Sequence, residues 1–261
     1  MQLKIYQIDA FAEHVFSGNP AAVCPLENWI AEDLMQKIAM ENNLAETVFF
    51  VPADDDFEIR WFTPLVEVDL CGHATLACAH LLFNKLGYMK NKINFHSPRS
   101  GMLSVTKEND FLALNFPSDD IQICDLLPEL ASSMNILPQK IYKGKTDYML
   151  IYHNEEEIRQ ISPDYYKLSK IKARGFIVTA KGNEVDFVSR FFGPGVGVNE
   201  DPVTGSAHTS LTPYWSNRLN KKILTAKQLS PRGGFLICEN LNDRVSIKGK
   251  SITYLEGTIT V

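Results

Sequence analysis

The 261-residue sequence has the cysteine pattern of neither a disulfide framework nor a zinc knuckle. Its five cysteines are an odd number, and no two of them have the C-x-x-C spacing. No apolar run approaches the roughly 20 residues that a membrane-spanning helix needs. The first nine residues alternate polar and apolar side chains as a strand does, and they lack the apolar core of a signal peptide. We therefore expect a cytoplasmic protein with reduced thiols and no membrane partner.

Clusters of positive charge are also missing. The 26 basic and 31 acidic residues give a net charge of -5, and no stretch of Lys and Arg is dense enough to follow a phosphate backbone. We therefore expect no nucleic-acid partner. The hydrophobic share of 45% and the charged share of 22% are typical of globular enzymes and exclude disordered, collagen-like and coiled-coil chains. A chain of this length forms one large domain or two modest ones.

What the sequence does contain is an internal duplication. Arg60–Pro64 and Arg190–Pro194 both read Arg-aromatic-Phe-x-Pro, and they lie 130 residues apart. Each is followed by a Gly-x-Ala that begins a helix-like run, at Gly72 and at Gly205. A weaker echo relates the segment starting at Ala45 to the segment starting at Ala173, at a spacing of 128. Because the three echoes occur in the same order, we expect two similar domains that face each other and hold a ligand in the cleft between them.

The local patterns describe each half further. Amphipathic or apolar periodicity predicts helices at residues 29–42, 74–86 and 207–219, the second apolar nearly all round and the third containing Pro213. Short alternating segments around them predict many strands. The predicted fold is therefore α+β, and each half forms a small β-barrel wrapped around a central helix. We place the N-terminal domain at residues 1–117, completed by the strand at 250–261, and the C-terminal domain at residues 118–249.

Five positions carry candidate chemistry. Gly72 and Gly205 lie where a strand-like segment turns into a helix, and the free N–H groups of a helix start bind anions, although a glycine also simply permits the turn. Glu46 lies at the mouth of an apolar strand with aromatic neighbours, where a carboxylate suits general acid and base catalysis, but a glutamate at a strand edge is more often a solvated surface charge. His73, in the first turn of the apolar helix, is expected to be a neutral imidazole that gives or takes a proton, although a histidine next to a helix N-cap also serves a purely structural role. Asp201 is either a turn residue or a member of the same site.

Five blocks run in order along nearly the whole chain: Ser17–Val23, Asn43–Thr47, Asp69–Thr75, Glu200–His208 and Gln228–Gly234. Together they resemble the signature blocks of the phenazine biosynthesis PhzF-like family. The Asp-Pro-Val-Thr-Gly-Ser-Ala-His sequence in the fourth block is highly specific. The resemblance implies the diaminopimelate epimerase-like fold, in which two pseudo-symmetric domains each form a β-barrel around a central helix and the active site lies between them.

The resemblance also implies the site residues. In the family, the glutamate of the Asn-Leu-x-Glu-Thr block shuttles a proton, and here that residue is Glu46. A histidine, an aspartate and a serine assist it, and these carry over to His73, Asp201 and Ser206. The expected catalytic residues are thus Glu46, His73 and Asp201, and the expected substrate-binding residues are Asn19, Gly72, Gly205 and Ser206. A small anionic carboxylate substrate, no cofactor, no metal and a homodimer complete the expectation.

Two other functions remain open on this fold. Related epimerases and racemases use two cysteines, one per domain, as acid and base, and Cys71 fits the first position. The matching position in the second half is Thr204, which disfavours a two-base epimerase or racemase of an amino acid that relies on thiols. A non-catalytic small-molecule binding protein would keep the glycines but need not keep Glu46, His73 and Asp201 together. We therefore interpret the chain as a cofactor-independent isomerase that moves a proton on a small carboxylated, cyclic or unsaturated metabolite.

Overall fold

The structure of the protein is a computed structural model that describes all 261 residues. The chain divides into two compact units: Met1–Asn115 together with Lys248–Val261, and Phe116–Ile247. The sequence-based boundaries, at residues 117 and 249, lie two residues further along the chain. The division means that the C-terminal segment belongs to the first unit.

Nine strands and two helices lie wholly or mostly in the first unit. The strands are β1 (Gln2–Ala10), β2 (Asn19–Pro25), β3 (Glu46–Ala53), β4 (Asp56–Phe62), β5 (Glu67–Val68), β6 (Lys92–Ser97), β7 (Gly101–Glu108), β8 (Phe111–Pro117) and β18 (Ser251–Thr260). The helices are α1 (Glu32–Asn42) and α2 (Gly72–Asn84).

The strands of the first unit form a mixed sheet. β1 pairs antiparallel with both β18 and β2, and β2 pairs parallel with β3. β3 pairs antiparallel with β4, which pairs antiparallel with β5 and parallel with β6. β6, β7 and β8 continue as antiparallel neighbours. The β1–β18 pairing, from Gln2 opposite Thr260 to Ala10 opposite Ser251, ties the C-terminal strand to this unit.

Helix α2 is buried on most sides because its side chains are apolar nearly all round. Ten of its 13 residues are buried, and it packs against β1, β2, β3, β7 and β18. It lies two residues earlier than predicted at each end, because Cys71 is its N-cap in an extended conformation. Gly87, with a φ of +72°, is in the left-handed conformation that closes a helix. At 13 residues α2 is the longest helix, and no helix of the structure is long and apolar enough to cross a membrane.

Helix α1 begins at Glu32, three residues later than predicted. Ala31 occupies the N-cap position without a side-chain hydrogen bond, and the acidic Glu32 and Asp33 in the first turn suit the positive end of a helix dipole. Its buried face consists of Met35, Ile38 and Ala39. These side chains form a hydrophobic core with residues of β1 to β4.

The second unit contains nine further strands and four helices, wholly or mostly. The strands are β9 (Gln122–Cys124), β10 (Lys140–Lys143), β11 (Asp147–Ile151), β12 (Gly175–Lys181), β13 (Phe187–Gly193), β14 (Val198–Asp201), β15 (Ile223–Gln228), β16 (Gly234–Asn240) and β17 (Arg244–Gly249). The helices are α3 (Pro128–Ser133), α4 (Glu155–Gln160), α5 (Tyr165–Leu168) and α6 (His208–Leu219).

The strand pairings of the second unit repeat those of the first. β10 to β16 pair in the same order and the same directions as β1 to β7, including the parallel pairs β11–β12 and β13–β15. The predicted internal duplication is therefore confirmed at the level of topology. The spacing predicted from the weaker echo was wrong by one residue. In the strand pairing, Phe49 lies opposite Arg60, and Val178 lies opposite Arg190. Phe49 of β3 therefore corresponds to Val178 of β12, a spacing of 129 residues and not 128.

The repeated Arg-aromatic-Phe-x-Pro motif carries the same ion pair in both units. Arg60 donates through Nε and Nη2 to the two carboxylate oxygens of Glu67, at 2.7 and 2.8 Å. Arg190 makes the same two contacts with Glu200, at 2.7 and 2.9 Å. Each guanidinium also lies over the ring of the phenylalanine two residues later. Such two-point pairs are geometrically specific, which gives the motif a structural reason to recur.

Helix α6 starts at His208, one residue later than predicted, because Gly205–Ala207 form a 3-10 turn before it. Pro213 lies inside the helix, where it has no N–H to donate. The buried side chains of α6 include Leu211 and Trp215, and the helix packs against β15 and β16.

Helices α3, α4 and α5 are not evident from the sequence pattern. They are only four to six residues long, too short to show helical periodicity. Leu130, Ile158 and Leu168 on these helices form a core with Phe176 and Val188 of the sheet. α4 and α5 lie between β11 and β12 in the chain, as α1 lies between β2 and β3. Helices and a mixed sheet within each unit make the predicted α+β class correct.

Candidate active site

Glu46 is the first residue of β3. Helix α1 closes at Asn43, whose φ of +49° reverses the chain, and only Leu44 and Ala45 separate that turn from the strand. The Glu46 side chain is 18% exposed, but its Oε2 atom is buried and has no hydrogen bond.

His73 brings Glu46 and Asn19 together. It is the second residue of α2 and is buried. Its Nε2 lies 3.1 Å from Glu46 Oε2, an ion-pair distance without hydrogen-bond alignment. Its Nδ1 lies 3.2 Å from Nδ2 of Asn19, the fully buried first residue of β2. Three predicted site residues, from three different elements, therefore form one cluster.

A left-handed glycine leads the chain into Asn19. Gly18 has a φ of +68°, and an added Cβ there would lie 2.2 Å from the Ala10 carbonyl oxygen. Any side chain would collide with the backbone of β1. The Ser-Gly-Asn-Pro sequence therefore needs its glycine to place the Asn19 amide beside His73.

The charge state of His73 follows from its neighbours. Burial lowers the pKa of His73, but its contacts with Cys71 and Glu46 outweigh burial and raise the pKa of His73 well above its usual value. Burial, reinforced by the Glu46 charge, raises the pKa of Cys71 to about 11. The thiol is therefore neutral at pH 7, which leaves Glu46 as the neighbour that raises the pKa of His73 there. This differs from the neutral imidazole that a buried helix position alone would favour.

Cys71 completes the cluster. It is buried, and its Sγ lies 3.5 Å from Nδ1 and 4.0 Å from Nε2 of His73. No side chain caps the start of α2 at Gly72. One ligand atom each from Glu46, Cys71 and His73 lies within 4.8 Å of the other two, a grouping that could hold a metal ion. Sequence spacing did not reveal this group, because its carboxylate comes from a strand start 25 residues before the cysteine.

In the second unit, Asp201 ends β14 and is held by the loop that follows it. Its Oδ2 accepts a hydrogen bond from the Thr204 hydroxyl. Gln228 Nε2 donates to the Asp201 carbonyl at 2.7 Å, and Gln228 Oε1 accepts from the Thr204 N–H at 2.9 Å. Ser230 donates to the Pro202 carbonyl at 2.7 Å. The fifth sequence block therefore holds the loop before Gly205, a role that sequence reasoning missed.

Ser206, in the 3-10 turn, is held by an arginine that the sequence analysis did not single out. Arg174 donates through Nη1 to Ser206 Oγ at 2.9 Å. Its Nε donates to Asp147 Oδ1 at 2.9 Å, and its Nη2 donates to Asp147 Oδ2. Arg174 directly precedes β12, one residue before the position that strand pairing aligns with Glu46. The weak echo in the sequence was therefore a signal that could have found it.

His208, the last residue of the fourth block, has a structural role. It is fully buried, and its Nδ1–H donates to the Thr204 carbonyl at 3.0 Å. Burial lowers the pKa of His208 to about 4, so the ring is neutral at pH 7. The predicted site residues thus fall into a cluster of the first unit and a cluster of the second: Asn19, Glu46, Gly72 and His73, and Asp201, Gly205 and Ser206. That the two clusters serve one active site stays a prediction.

Comparison with known proteins assigns the family. The model of the phenazine biosynthesis-like protein family, PhzC-PhzF, matches residues 8–257. The chain belongs to this family. A Pseudomonas aeruginosa protein named as an uncharacterized isomerase is 49% identical to this PhzF-family chain over 259 residues, which cover 99% of each. The crystal structure of a phenazine biosynthesis protein of the PhzF family from Enterococcus faecalis is 46% identical, covers 100% of both chains and superimposes with a TM-score of 0.97.

A more distant structure shows the same fold. A hydroxyproline epimerase from Agrobacterium vitis, with bound trans-4-hydroxy-L-proline, is 10% identical and covers 99% of this chain and 91% of its own. Its TM-score is 0.58. The epimerase-like fold predicted from the sequence is therefore confirmed. The named relatives support an isomerase activity for this PhzF-family protein.

Proposed function

We propose that the protein is a cofactor-independent isomerase that moves a proton on a small carboxylated, cyclic or unsaturated metabolite, with Glu46 as the general acid and base. The observation that carries the proposal is the Glu46 Oε2 atom, which is buried, has no hydrogen bond and lies 3.1 Å from His73. A partly buried carboxylate held beside an imidazole is suited to taking a proton from carbon and returning it.

The reaction conserves every atom. Glu46 takes a proton from a substrate carbon, and the electron pair of the broken C–H bond delocalises into the adjoining unsaturated system. The Glu46 carboxylic acid then returns the proton to a different carbon. The His73 imidazolium, beside the carboxylate, stabilises the negative charge that develops on the substrate. No electron is gained or lost, so the reaction needs no redox partner.

The remaining predicted residues bind and orient the substrate. The Asn19 amide lies beside His73 Nδ1, and its oxygen accepts the Nδ1–H of the imidazolium when the amide is turned toward it. The start of α2 at Gly72, which has no side-chain cap, offers backbone N–H groups to a substrate carboxylate. In the second unit, Ser206 accepts its hydrogen bond from Arg174, so its own hydroxyl proton is directed to another acceptor. Gly205 begins that turn, and we assign Asp201 a role in substrate orientation.

Two features weigh against the thiol-based alternative. The pKa of Cys71 is raised to about 11, so a Cys71 thiolate is scarce at neutral pH. The partner position is Thr204, whose hydroxyl donates to Asp201. A non-catalytic binding protein of the same fold would have no reason to bury a Glu46 oxygen without a hydrogen bond, since that arrangement costs stability.

Proton exchange into deuterated water tests the proposal directly. Candidate metabolites, among them dihydro-hydroxyanthranilates, are incubated with the protein in deuterated water, and NMR follows deuterium entering a carbon position. We expect incorporation with the native chain and loss of at least about 100-fold in rate with Glu46→Gln. The matched control is Glu41→Gln, an exposed glutamate on α1. A Glu46→Gln variant that exchanges at the native rate would exclude Glu46 as the base.

A further inference from the structure

Three donor atoms of different chemistry meet in the first unit. Glu46 Oε2 lies 3.1 Å from His73 Nε2, and Nε2 lies 4.0 Å from Cys71 Sγ. One ligand atom from each residue lies within 4.8 Å of the other two. In a tetrahedral zinc site with ordinary bond lengths, ligand atoms are about 3.3 to 3.7 Å apart. Because Cys71 Sγ lies nearer Nδ1, at 3.5 Å, than Nε2, the Cys71 side chain must rotate toward Nε2 to bring the three atoms around one ion.

Two observations show that the group has unused capacity for a ligand. The buried Glu46 Oε2 atom lies 3.1 Å from His73 Nε2 without hydrogen-bond alignment, so a cation that replaced the Nε2 proton would bind both atoms. The other ring nitrogen, Nδ1, lies 3.2 Å from the Asn19 amide nitrogen and 3.5 Å from Cys71 Sγ. A metal-bound histidine requires an acceptor for its other N–H, and the Asn19 amide provides one when its oxygen is turned toward Nδ1.

The donor set selects the kind of ion. A thiolate, an imidazole and a carboxylate favour Zn²⁺, Co²⁺ or Cd²⁺, whereas Mg²⁺ and Ca²⁺ require oxygen ligands. Three protein ligands leave the fourth tetrahedral position for water or another small ligand.

We propose that Glu46, Cys71 and His73 bind one thiophilic divalent ion, such as Zn²⁺, and that the bound ion inhibits the protein. Binding forms three metal–ligand bonds and releases the Cys71 thiol proton and the His73 imidazolium proton to solvent. The inhibition rests on the proposed function, because the ion occupies the carboxylate that would move the substrate proton. The binding itself is independent of that function.

Titration with Co²⁺ measures metal binding at this site independently of catalytic activity. Co²⁺ is added under anaerobic conditions to the full-length protein, and absorption spectra report cobalt–thiolate charge transfer and tetrahedral coordination. We expect both signals at one ion per chain with the native protein, their loss with Cys71→Ser, and their retention with Cys78→Ala. Cys78 is a matched control because it is buried on the same helix. Zn²⁺ should displace the cobalt, whereas Mg²⁺ should not.

Binding and inhibition are then compared. Circular dichroism first establishes that Cys71→Ser is folded, and Cys71→Ala is a second variant for the same purpose. We expect at least a tenfold higher Zn²⁺ concentration to be needed for half-saturation of Cys71→Ser than of the native chain. A native protein without the thiolate signal, or a signal that survives in Cys71→Ser and Cys71→Ala, would overturn the metal site. Binding of the ion without any loss of deuterium exchange would overturn the inhibition and count against Glu46 as the base.

Discussion

Glu46 and His73 stand 3.1 Å apart as carboxylate and imidazole, and the carboxylate oxygen between them is buried without a hydrogen bond. The two residues come from the start of β3 and the start of α2. Because the two groups lie so close, the protonation of His73 should govern both turnover and stability.

Replacing Glu46 by glutamine should abolish nearly all turnover while leaving the fold intact. The amide has the shape of the carboxylate but cannot accept a proton, and the loss of one general base commonly costs 10²- to 10⁴-fold. The measurement is the rate of deuterium incorporation, together with a thermal unfolding curve. A variant that loses activity only because it unfolds would have a lower unfolding temperature in that curve.

The Glu46–His73 pair should make stability depend on pH in a defined direction. The pKa of His73 is raised in the folded state, so the stabilisation is complete below about pH 6.5, the value in the unfolded chain, and is lost as pH rises through the folded-state pKa. Urea unfolding at several pH values measures it. The excess stability of the native chain over Glu46→Gln should be largest near pH 6 and should shrink toward alkaline pH. A difference that grows with pH would contradict the raised pKa.

The pH profile of turnover should show the titration of His73 as a loss of activity at alkaline pH. If the imidazolium of His73 stabilises the developing negative charge, kcat/KM falls as pH rises through the raised pKa of His73. His73→Gln should lower the rate and remove this alkaline limb from the profile. An unchanged limb in that variant would assign the titration to another residue.

Replacing Cys71 separates the two chemistries that the fold supports. Its thiol has a pKa of about 11 and contacts His73 at 3.5 Å, so we expect it to pack and not to transfer protons. Cys71→Ala or Cys71→Ser should cost less than about tenfold in turnover, or about 1.4 kcal/mol of barrier. The comparison is made with Glu46→Gln on the same substrate. An inactive cysteine variant beside an active glutamine variant would favour the two-base racemase.

Removing the arginine of the second motif should destabilise the protein. Arg190 donates to Glu200 at two points and to the Ile158 and Ile161 carbonyls at 3.1 and 2.7 Å. Arg190→Met leaves a nearly buried carboxylate unpaired, which should lower the free energy of unfolding by about 3 to 5 kcal/mol. A double-mutant cycle with Glu200→Gln measures the coupling. Independent effects of the two substitutions would mean that the pair contributes little.

The fold was largely predictable because the duplicated motif, Arg-aromatic-Phe-x-Pro, contains an arginine that forms a structural ion pair in each unit. Arg60 and Arg190 each hold an ion pair between equivalent strands, so their recurrence indicated repeated topology. The short helices α3 to α5 could not be predicted, since they are stabilised by packing on the sheet and not by their own periodicity. The one-residue error in the weaker echo arose because similar side chains were aligned without knowledge of the strand pairing.

The candidate site was predictable only where local sequence carried a signature. Asn19, Glu46 and His73 lie in three blocks, and the structure brings them together. Cys71 contacts His73 because the two residues flank the first residue of α2, and the sequence spacing alone does not show where that helix begins. Arg174 and Asp147 lie outside the blocks, and their connection to Ser206 depends on strand pairing across the second unit.

The pairing of β1 with β18 has a consequence for how the chain is made. The first unit is formed by Met1–Asn115 and Lys248–Val261, which the whole second unit separates along the chain. A growing polypeptide therefore cannot complete this unit until the ribosome has released the C-terminal strand. The second unit is contiguous in the chain, so we expect it to fold during synthesis, before β18 can pair with β1.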